Sequence, residues 1–214
     1  MLHKNSKELS KNIRLNAVHM VNRDGSSHIG SVLSIADILA VLYADIMKYN
    51  SEKPKWDGRD RFILSKGHAG VGIYAVLAEC GFFEKAKLMD HFQNGSVFSG
   101  HVSDKSIPGV ELSTGALGHG LPVGSGIALA AKLDNKQHHI FVLMSDGELN
   151  EGSNWEAFLF SAHHQLSNLT AIIDRNRLQS IRSTELTVKL EPLVEKFIAF
   201  GWNVLEIDGH DHLG

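Results

Sequence analysis

A chain of 214 residues fits one large domain better than two small ones, at about 150 residues per domain. With 43% hydrophobic and 21% charged residues it has a globular composition, which excludes a disordered, collagen-like or disulfide-stapled polypeptide. Twenty-one basic against 24 acidic residues give a net charge of −3, so no electrostatic case exists for nucleic acid or an anionic membrane as partner.

The first predicted helix carries Leu9, Ile13, Ala17 and Met20/Val21 at helical spacing. Ser34 with Asp37 three residues on reads as a capping box for a second helix, ending near Tyr49. A polar loop follows over 50–60, and 61–65 is short enough to be either a strand or a helix lead-in. The pattern then predicts a helix over 68–80, stopped by Gly81, and a short one over 84–91. From Gln93 to Gly118 neither period persists, while Gly95, Gly100, Gly109, Gly115 and Gly118 recur with Pro108. A loop of roughly 25 residues inside a compact chain is usually functional or disordered.

The last hundred residues alternate: helix 121–133, strand 139–145, helix 151–166, strand 169–174, helix 190–200 and strand 202–207. Such alternation predicts an α/β domain, a doubly wound and mostly parallel sheet with helices on both faces, behind a helical N-terminal region. We expect a single domain over 1–214. The chain stops just after a strand, where Asp211 would cap one further covering helix, so either the chain lacks its C-terminal end or something else covers this edge of the sheet.

The single cysteine, Cys80, lies in an apolar stretch and reads as packing; it fits a reducing, cytoplasmic setting. Residues 1–14 lack a signal-like segment, and no uninterrupted apolar run nears the roughly 18 residues of a membrane span. Twenty glycines and 13 histidines are the departures from average, and they direct the search for chemistry.

In an open parallel sheet, ligands sit beyond the carboxyl ends of the strands. The strand 139–145 runs into Asp146-Gly147-Glu148, and the strand 169–174 runs towards Asn176-Arg177-Leu178. If the two strands are neighbours their ends lie about 5 Å apart, so Asp146 and Asn176 meet. A carboxylate, an amide oxygen and a main-chain carbonyl such as that of Leu178 make an all-oxygen site, suited to Mg²⁺ or Ca²⁺ rather than zinc. Gly147 lets backbone approach a phosphate, and a helix starting near 151 or 152 directs free N–H groups at it. Asp-Gly alone is also an ordinary turn.

The spacing of Asp-Gly, helix and Asn matches the thiamine diphosphate fingerprint. The segments Ser145-Asp146-Gly147-Glu148-Leu149-Asn150-Glu151-Gly152, Trp155-Glu156-Ala157 and Asp174-Arg175-Asn176 resemble transketolase. So do Ser27-His28-Ile29-Gly30-Ser31, Leu64-Ser65-Lys66-Gly67-His68-Ala69, Ser99-Gly100-His101 and Thr114-Gly115-Ala116-Leu117-Gly118-His119-Gly120, in the same order and over nearly the whole chain. Three positions depart from the family pattern: Ser145 and Ser27 stand where glycine is usual, and Val102 where proline is. His119 replaces a usual glutamine.

The resemblance implies a role for each matching residue. Asp146, Asn176 and the Leu178 carbonyl match metal ligands, and Gly147 matches a main-chain contact to the cofactor diphosphate. His68 matches a diphosphate-side histidine with a catalytic part. His28 and His101 match catalytic histidines near the reactive thiazolium carbon, where imidazole suits proton transfer near neutral pH. Gly115 and Leu117 match backbone lining the aminopyrimidine, and Glu151 matches an interface carboxylate. His3, His19, His91, His138, His139, His163 and His164 are read as ordinary histidines. His210 and His212 lack the spacing of a metal site, and Trp155, Phe158 and Phe160 are read as helix packing.

By this resemblance the chain is the N-terminal subunit of a split transketolase. With thiamine diphosphate, Mg²⁺ (or Ca²⁺) and a C-terminal partner subunit supplying the activating glutamate, it would move a two-carbon ketol unit from a ketose phosphate to an aldose. The implied assembly is a homodimer of this chain inside a heterotetramer. The alternatives are another thiamine diphosphate enzyme, such as a deoxyxylulose phosphate synthase or a dehydrogenase component, and a catalytically silent chain that only binds. A P-loop nucleotidase is disfavoured because no glycine-rich loop ends in Gly-Lys-Ser/Thr.

Overall fold

The computed structural model describes residues 5–26, 28–180 and 182–213; Ser27, one of the departures noted above, lies outside them. Helix α1 (Ser6–Asp24) starts at Asn5, whose side chain accepts from the Lys7 N–H, and ends at Gly25. Gly25 takes a left-handed φ of 66° that a side chain would resist. Helix α2 (Ile29–Val41) continues through a π-turn over Leu42–Ile46. It buries Val32, Ile35, Ala36, Leu39 and Ala40, one apolar stripe at helical spacing. Together they form an 18-residue helix apolar enough to cross a membrane, which the search for an uninterrupted apolar run passed over. Here it is a core helix, packed against α1 with Asp37 in its middle on Arg14 of that helix.

The expected capping box at Ser34 is not formed, because the helix begins five residues earlier. Ser34 Oγ instead donates to Asp174 Oδ1 at 2.8 Å, and Asp37 is ion-paired. Residues 61–65 resolve as a strand, β1 (Arg61–Leu64), followed by a 3₁₀ turn (Gly67–Ala69) and helix α3 (Gly70–Glu79). Every residue of α3 is buried, and Gly81, at φ 82°, closes its end as expected. The short helix over 84–91 is a 3₁₀ segment, Lys85–Asp90.

Then come α4 (Gly120–Leu133), β2 (Ile140–Ser145), a 3₁₀ turn (Gly147–Asn150), α5 (Gly152–His163) and β3 (Leu169–Asp174). A two-residue-per-strand hairpin, β4 (Leu178–Gln179) with β5 (Arg182–Ser183), leads into α6 (Thr184–Thr187) and α7 (Leu193–Ala199). The hairpin and α6 gave no sequence signal, being too short to show a period.

The sheet order is β1-β2-β3, all parallel, with Leu64 opposite Leu143 and Ser145 opposite Asp174. Alternate residues serve opposite faces, as strand geometry requires. Phe62, Leu64, Phe141 and Leu143 join the core of α1, α2 and α3, while Ile63, Ile140, Val142 and Met144 join that of α4, α5 and α7. This is the predicted layering of helices on both faces.

The expected last strand over 202–207 does not form among the described residues. The Trp202 indole donates to the Phe158 carbonyl at 3.0 Å and Val204 is half-buried, but Leu205 is 90% and Ile207 65% exposed. Apolar alternation predisposes a strand, yet no neighbouring strand offers it a ladder. Asp211 likewise closes only a local turn, accepting from the Leu213 N–H at 3.0 Å. Trp155 and Phe158 pack with Phe197 and Trp202 as expected, whereas Phe160 turns outward onto His164, 4.3 Å between ring centres. Cys80 is half-buried against the first core.

Candidate active site

The carboxyl ends of the three strands bring the sequence-predicted residues to one edge of the sheet. Past β1, Gly67 lets the chain press against the 92–118 loop: a Cβ there would lie 2.5 Å from the Thr114 carbonyl. The Gly67 carbonyl accepts from the Val102 N–H at 3.1 Å, the Val102 carbonyl from the Thr114 N–H at 3.1 Å, and Thr114 Oγ1 donates to the Leu64 carbonyl at 2.7 Å. Tyr74 Oη donates to the His101 carbonyl at 2.8 Å. The long irregular loop is thus pinned to the strand and helix beneath it, which favours a functional over a disordered reading.

Three histidines from three elements converge there. His28 precedes α2 with φ 71°, an uncommon left-handed conformation for a side-chain-bearing residue and of the kind that collects at functional sites. Its ring centre lies 5.2 Å from that of His68 and 6.0 Å from that of His101. Burial, and then the charges of Lys66, His28 and His101, push His68 down to about 4. Burial and His101 also lower His28. His68 is therefore neutral near pH 7, able to donate from one ring nitrogen and accept at the other. His28 and His101 are exposed at the mouth of the cluster. Gly115 packs against the His101 ring, where a Cβ would lie 3.2 Å away, and Leu117 follows on the same loop.

Asp146 and Asn176 follow neighbouring strands, as the spacing implied. Asp146 is fully buried: Oδ1 accepts from the Gly147 N–H at 2.8 Å, and Oδ2 accepts from the Arg177 N–H at 2.7 Å and Arg175 Nη1 at 2.8 Å. Asn176 donates to Asp174 Oδ2 at 3.0 Å and accepts at its own Oδ1 from the Leu178 N–H at 2.9 Å. Asp146 Oδ1 and Asn176 Oδ1 each hold one hydrogen bond and retain a lone pair. A buried carboxylate, an amide oxygen and the nearby Leu178 carbonyl are a donor set that fits a hard divalent cation. Gly147 packs on Gln179, and Glu151 is exposed at the start of α5.

The sequence reading passed over four residues that organise this edge. Lys66 is completely buried and reaches Asp174 Oδ2 at 2.5 Å, so a single carboxylate ties together β1, β3, Ser34 of α2 and Asn176. Glu148, also completely buried, accepts from Ser65 Oγ, from the Gly118 N–H at 3.0 Å and from the Ser145 N–H at 3.2 Å. Burial raises its pKa, against those hydrogen bonds. All four stand inside quoted motifs, where an ionisable residue bordering a buried strand was the available signal.

His210 and His212 fold back onto Asp37, at 2.8 and 3.0 Å, and no group of three or more metal-binding side chains of the His, Cys, Asp or Glu type occurs among the described residues. His91, read as ordinary, is buried and bonded to Asp24, the last residue of α1, at 2.5 Å.

The fold and this edge define a cofactor-binding α/β domain with a histidine cluster beside a buried carboxylate and a neighbouring amide oxygen. Residues 5–214 match the family model described as "Transketolase, thiamine diphosphate binding domain", and the chain belongs to the transketolase family. It is 44% identical over 202 residues to one of the subunits of an apulose-4-phosphate transketolase of Phocaeicola vulgatus, covering 94% of this chain and 72% of that one. It is 38% identical to human transketolase, covering 95% of this chain and 33% of that one. A solved transketolase from Leishmania mexicana superposes with a TM-score of 0.91 at 34% identity, covering 98% of this chain and 33% of that one. The chain thus spans about a third of full-length transketolases and close to three quarters of the Phocaeicola relative.

Proposed function

We propose that this chain is the cofactor-holding half of a split transketolase, completed by a partner subunit that supplies the activating glutamate. The observation that carries the reading is the convergence of His28, His68 and His101 beside strand ends bearing Asp146 and Asn176. Relatives that this chain matches over most of their length are named as single subunits of a transketolase, which supports the split arrangement. Glu151, exposed at the start of α5, would lie at the interface between two copies of this chain in a heterotetramer.

Thiamine diphosphate, when bound, supplies the carbanion stabilisation that ketol transfer needs. Asp146, Asn176 and the Leu178 carbonyl would hold Mg²⁺ (or Ca²⁺), with Gly147 offering backbone to the diphosphate and Gly115 and Leu117 lining the aminopyrimidine. His68, kept neutral, would donate a hydrogen bond on the diphosphate side without adding charge. His28 and His101, at the open side, would bind sugar oxygens and move protons to and from them near neutral pH. The substrate class we assign is an anionic ketose with an aldose acceptor. The relatives named for apulose-4-phosphate and for 6-deoxy-6-sulfo-D-fructose both have an anionic sugar in their names. A cytoplasmic location completes the proposal.

Purification from the native source and native mass spectrometry test it. A complex with a second chain of different sequence, holding thiamine diphosphate and a divalent ion, is the expected result. A lone chain that takes up no cofactor when every co-purifying protein is added back would refute it.

A further inference from the structure

We infer that Arg175 is a positioning residue for Asp146, fixing one carboxylate oxygen so that the other is presented to the divalent cation; the inference rests on the reading of Asp146 as a metal ligand. All five N–H groups of its guanidinium are engaged. Nη1 donates to Asp146 Oδ2 at 2.8 Å and to Thr184 Oγ1 at 2.7 Å. Nη2 donates to Glu185 Oε1 and Glu191 Oε1, both at 2.8 Å, and Nε donates to Glu191 Oε1 at 3.2 Å. A planar fork with every donor committed cannot turn without breaking several bonds at once.

The division of labour on Asp146 follows. Oδ2 holds two donors, Arg175 and the Arg177 N–H, which use both its lone pairs. Oδ1 holds only the adjacent Gly147 N–H and keeps one free. The carboxylate is completely buried, so its orientation is set by these bonds and not by water. Charge points the same way. Asp146, Glu185 and Glu191 surround one guanidinium, so the fork carries more anionic partners than its single charge can neutralise. The far side of the fork is itself anchored: Glu185 Oε1 also accepts from the Leu190 N–H at 3.2 Å, and Glu191 Oε2 from the Leu193 N–H at 3.0 Å. Arg175 thereby connects the turn over 184–193 to the proposed metal ligand. Residues that orient a metal ligand in this way typically change metal affinity 10- to 100-fold when removed.

The test uses the assembled protein with thiamine diphosphate present and Mn²⁺ as probe, its free concentration followed by electron paramagnetic resonance. Arg175→Met is expected to raise half-saturating Mn²⁺ about 10- to 100-fold. Arg175→Lys, which retains one charged donor towards Oδ2, should recover part of that loss, and excess Mn²⁺ should restore cofactor uptake in both. Half-saturation unchanged in Arg175→Met, with only its thermal midpoint lowered, would mean that Arg175 merely packs the 184–193 turn and would overturn the inference. Tighter Mn²⁺ binding in Arg175→Met would overturn it too, since the guanidinium would then be a competitor of the cation. Should Arg175→Met not fold, the lysine variant decides by the same criterion. Wild-type protein that takes up no Mn²⁺ overturns the metal-site reading itself, a result distinct from wild type and variant binding alike.

Discussion

Replacing Lys66 by methionine tests whether the buried pair at the end of the sheet is as consequential as its geometry implies. The Lys66 ammonium is wholly buried, 2.5 Å from Asp174 Oδ2, and methionine fills similar volume without the charge. Asp174 would keep only neutral donors, Ser34 Oγ at 2.8 Å and Asn176 Nδ2 at 3.0 Å. Leaving a buried carboxylate without its counter-ion costs about 3–5 kcal/mol. For a domain of this size each kcal/mol lowers the melting midpoint by about 2–4 °C, so a fall of roughly 6–20 °C is expected. Adding Asp174→Asn removes the second charge while keeping an acceptor for Ser34. The double variant should therefore be less destabilised than the sum of the singles, by about 0.5–3 kcal/mol. Urea unfolding of wild type, both singles and the double, followed by circular dichroism, measures all four corners. A cost below about 1 kcal/mol for Lys66→Met, or strict additivity, would refute the assignment of a coupled buried pair.

Four further outcomes follow from the same geometry. His68, held near 4 against an ordinary 6.5, disfavours its proton when folded, so its contribution to stability is present above about pH 6.5 and is lost as pH falls towards 4. Proton NMR should place its titration midpoint near 4, and His68→Gln should flatten the stability profile over that window. Asp37 is held well below the usual carboxylate range: burial works against ionisation, but hydrogen bonds from Arg14, Ser10 and His210 outweigh it. Its contribution is present above about 3.8 and lost at lower pH, and Asp37→Asn should release the segment over 208–213, seen as faster amide exchange there at neutral pH. Gly67→Ala drives a Cβ to 2.5 Å from the Thr114 carbonyl and should cost about 1–3 kcal/mol with weakened thiamine diphosphate binding. Gly126→Ala, in open space on α4, should stabilise by about 0.5–1 kcal/mol in the same thermal assay.

The sequence by itself determined the layering, because helix and strand periods and glycine stops are local properties. Leu9, Ile13, Ala17 and Met20 mark one buried stripe, Gly81 ends α3 where its positive φ is needed, and the short apolar runs 140–145 and 169–174 between helical segments read as strands. The spacing of Asp146 and Asn176 after two strands was likewise a local property, whereas the motif histidines were singled out by resemblance to the family's segments.

Only the tertiary structure decided what met what. The same Ser34 and Asp37 that read as a cap are drawn instead to Asp174 and Arg14, partners 140 and 23 residues away. The stretch over 202–207 alternates like a strand but has no strand beside it, and a ladder is a property of two segments, not one. The burial of Lys66 and Glu148, the convergence of His28 on His68 and the fivefold engagement of Arg175 all depend on chain crossings that no local pattern encodes. Charges and ring nitrogens acquire their chemistry from such neighbours, so the site's residue types could be read from sequence while its electrostatics could not.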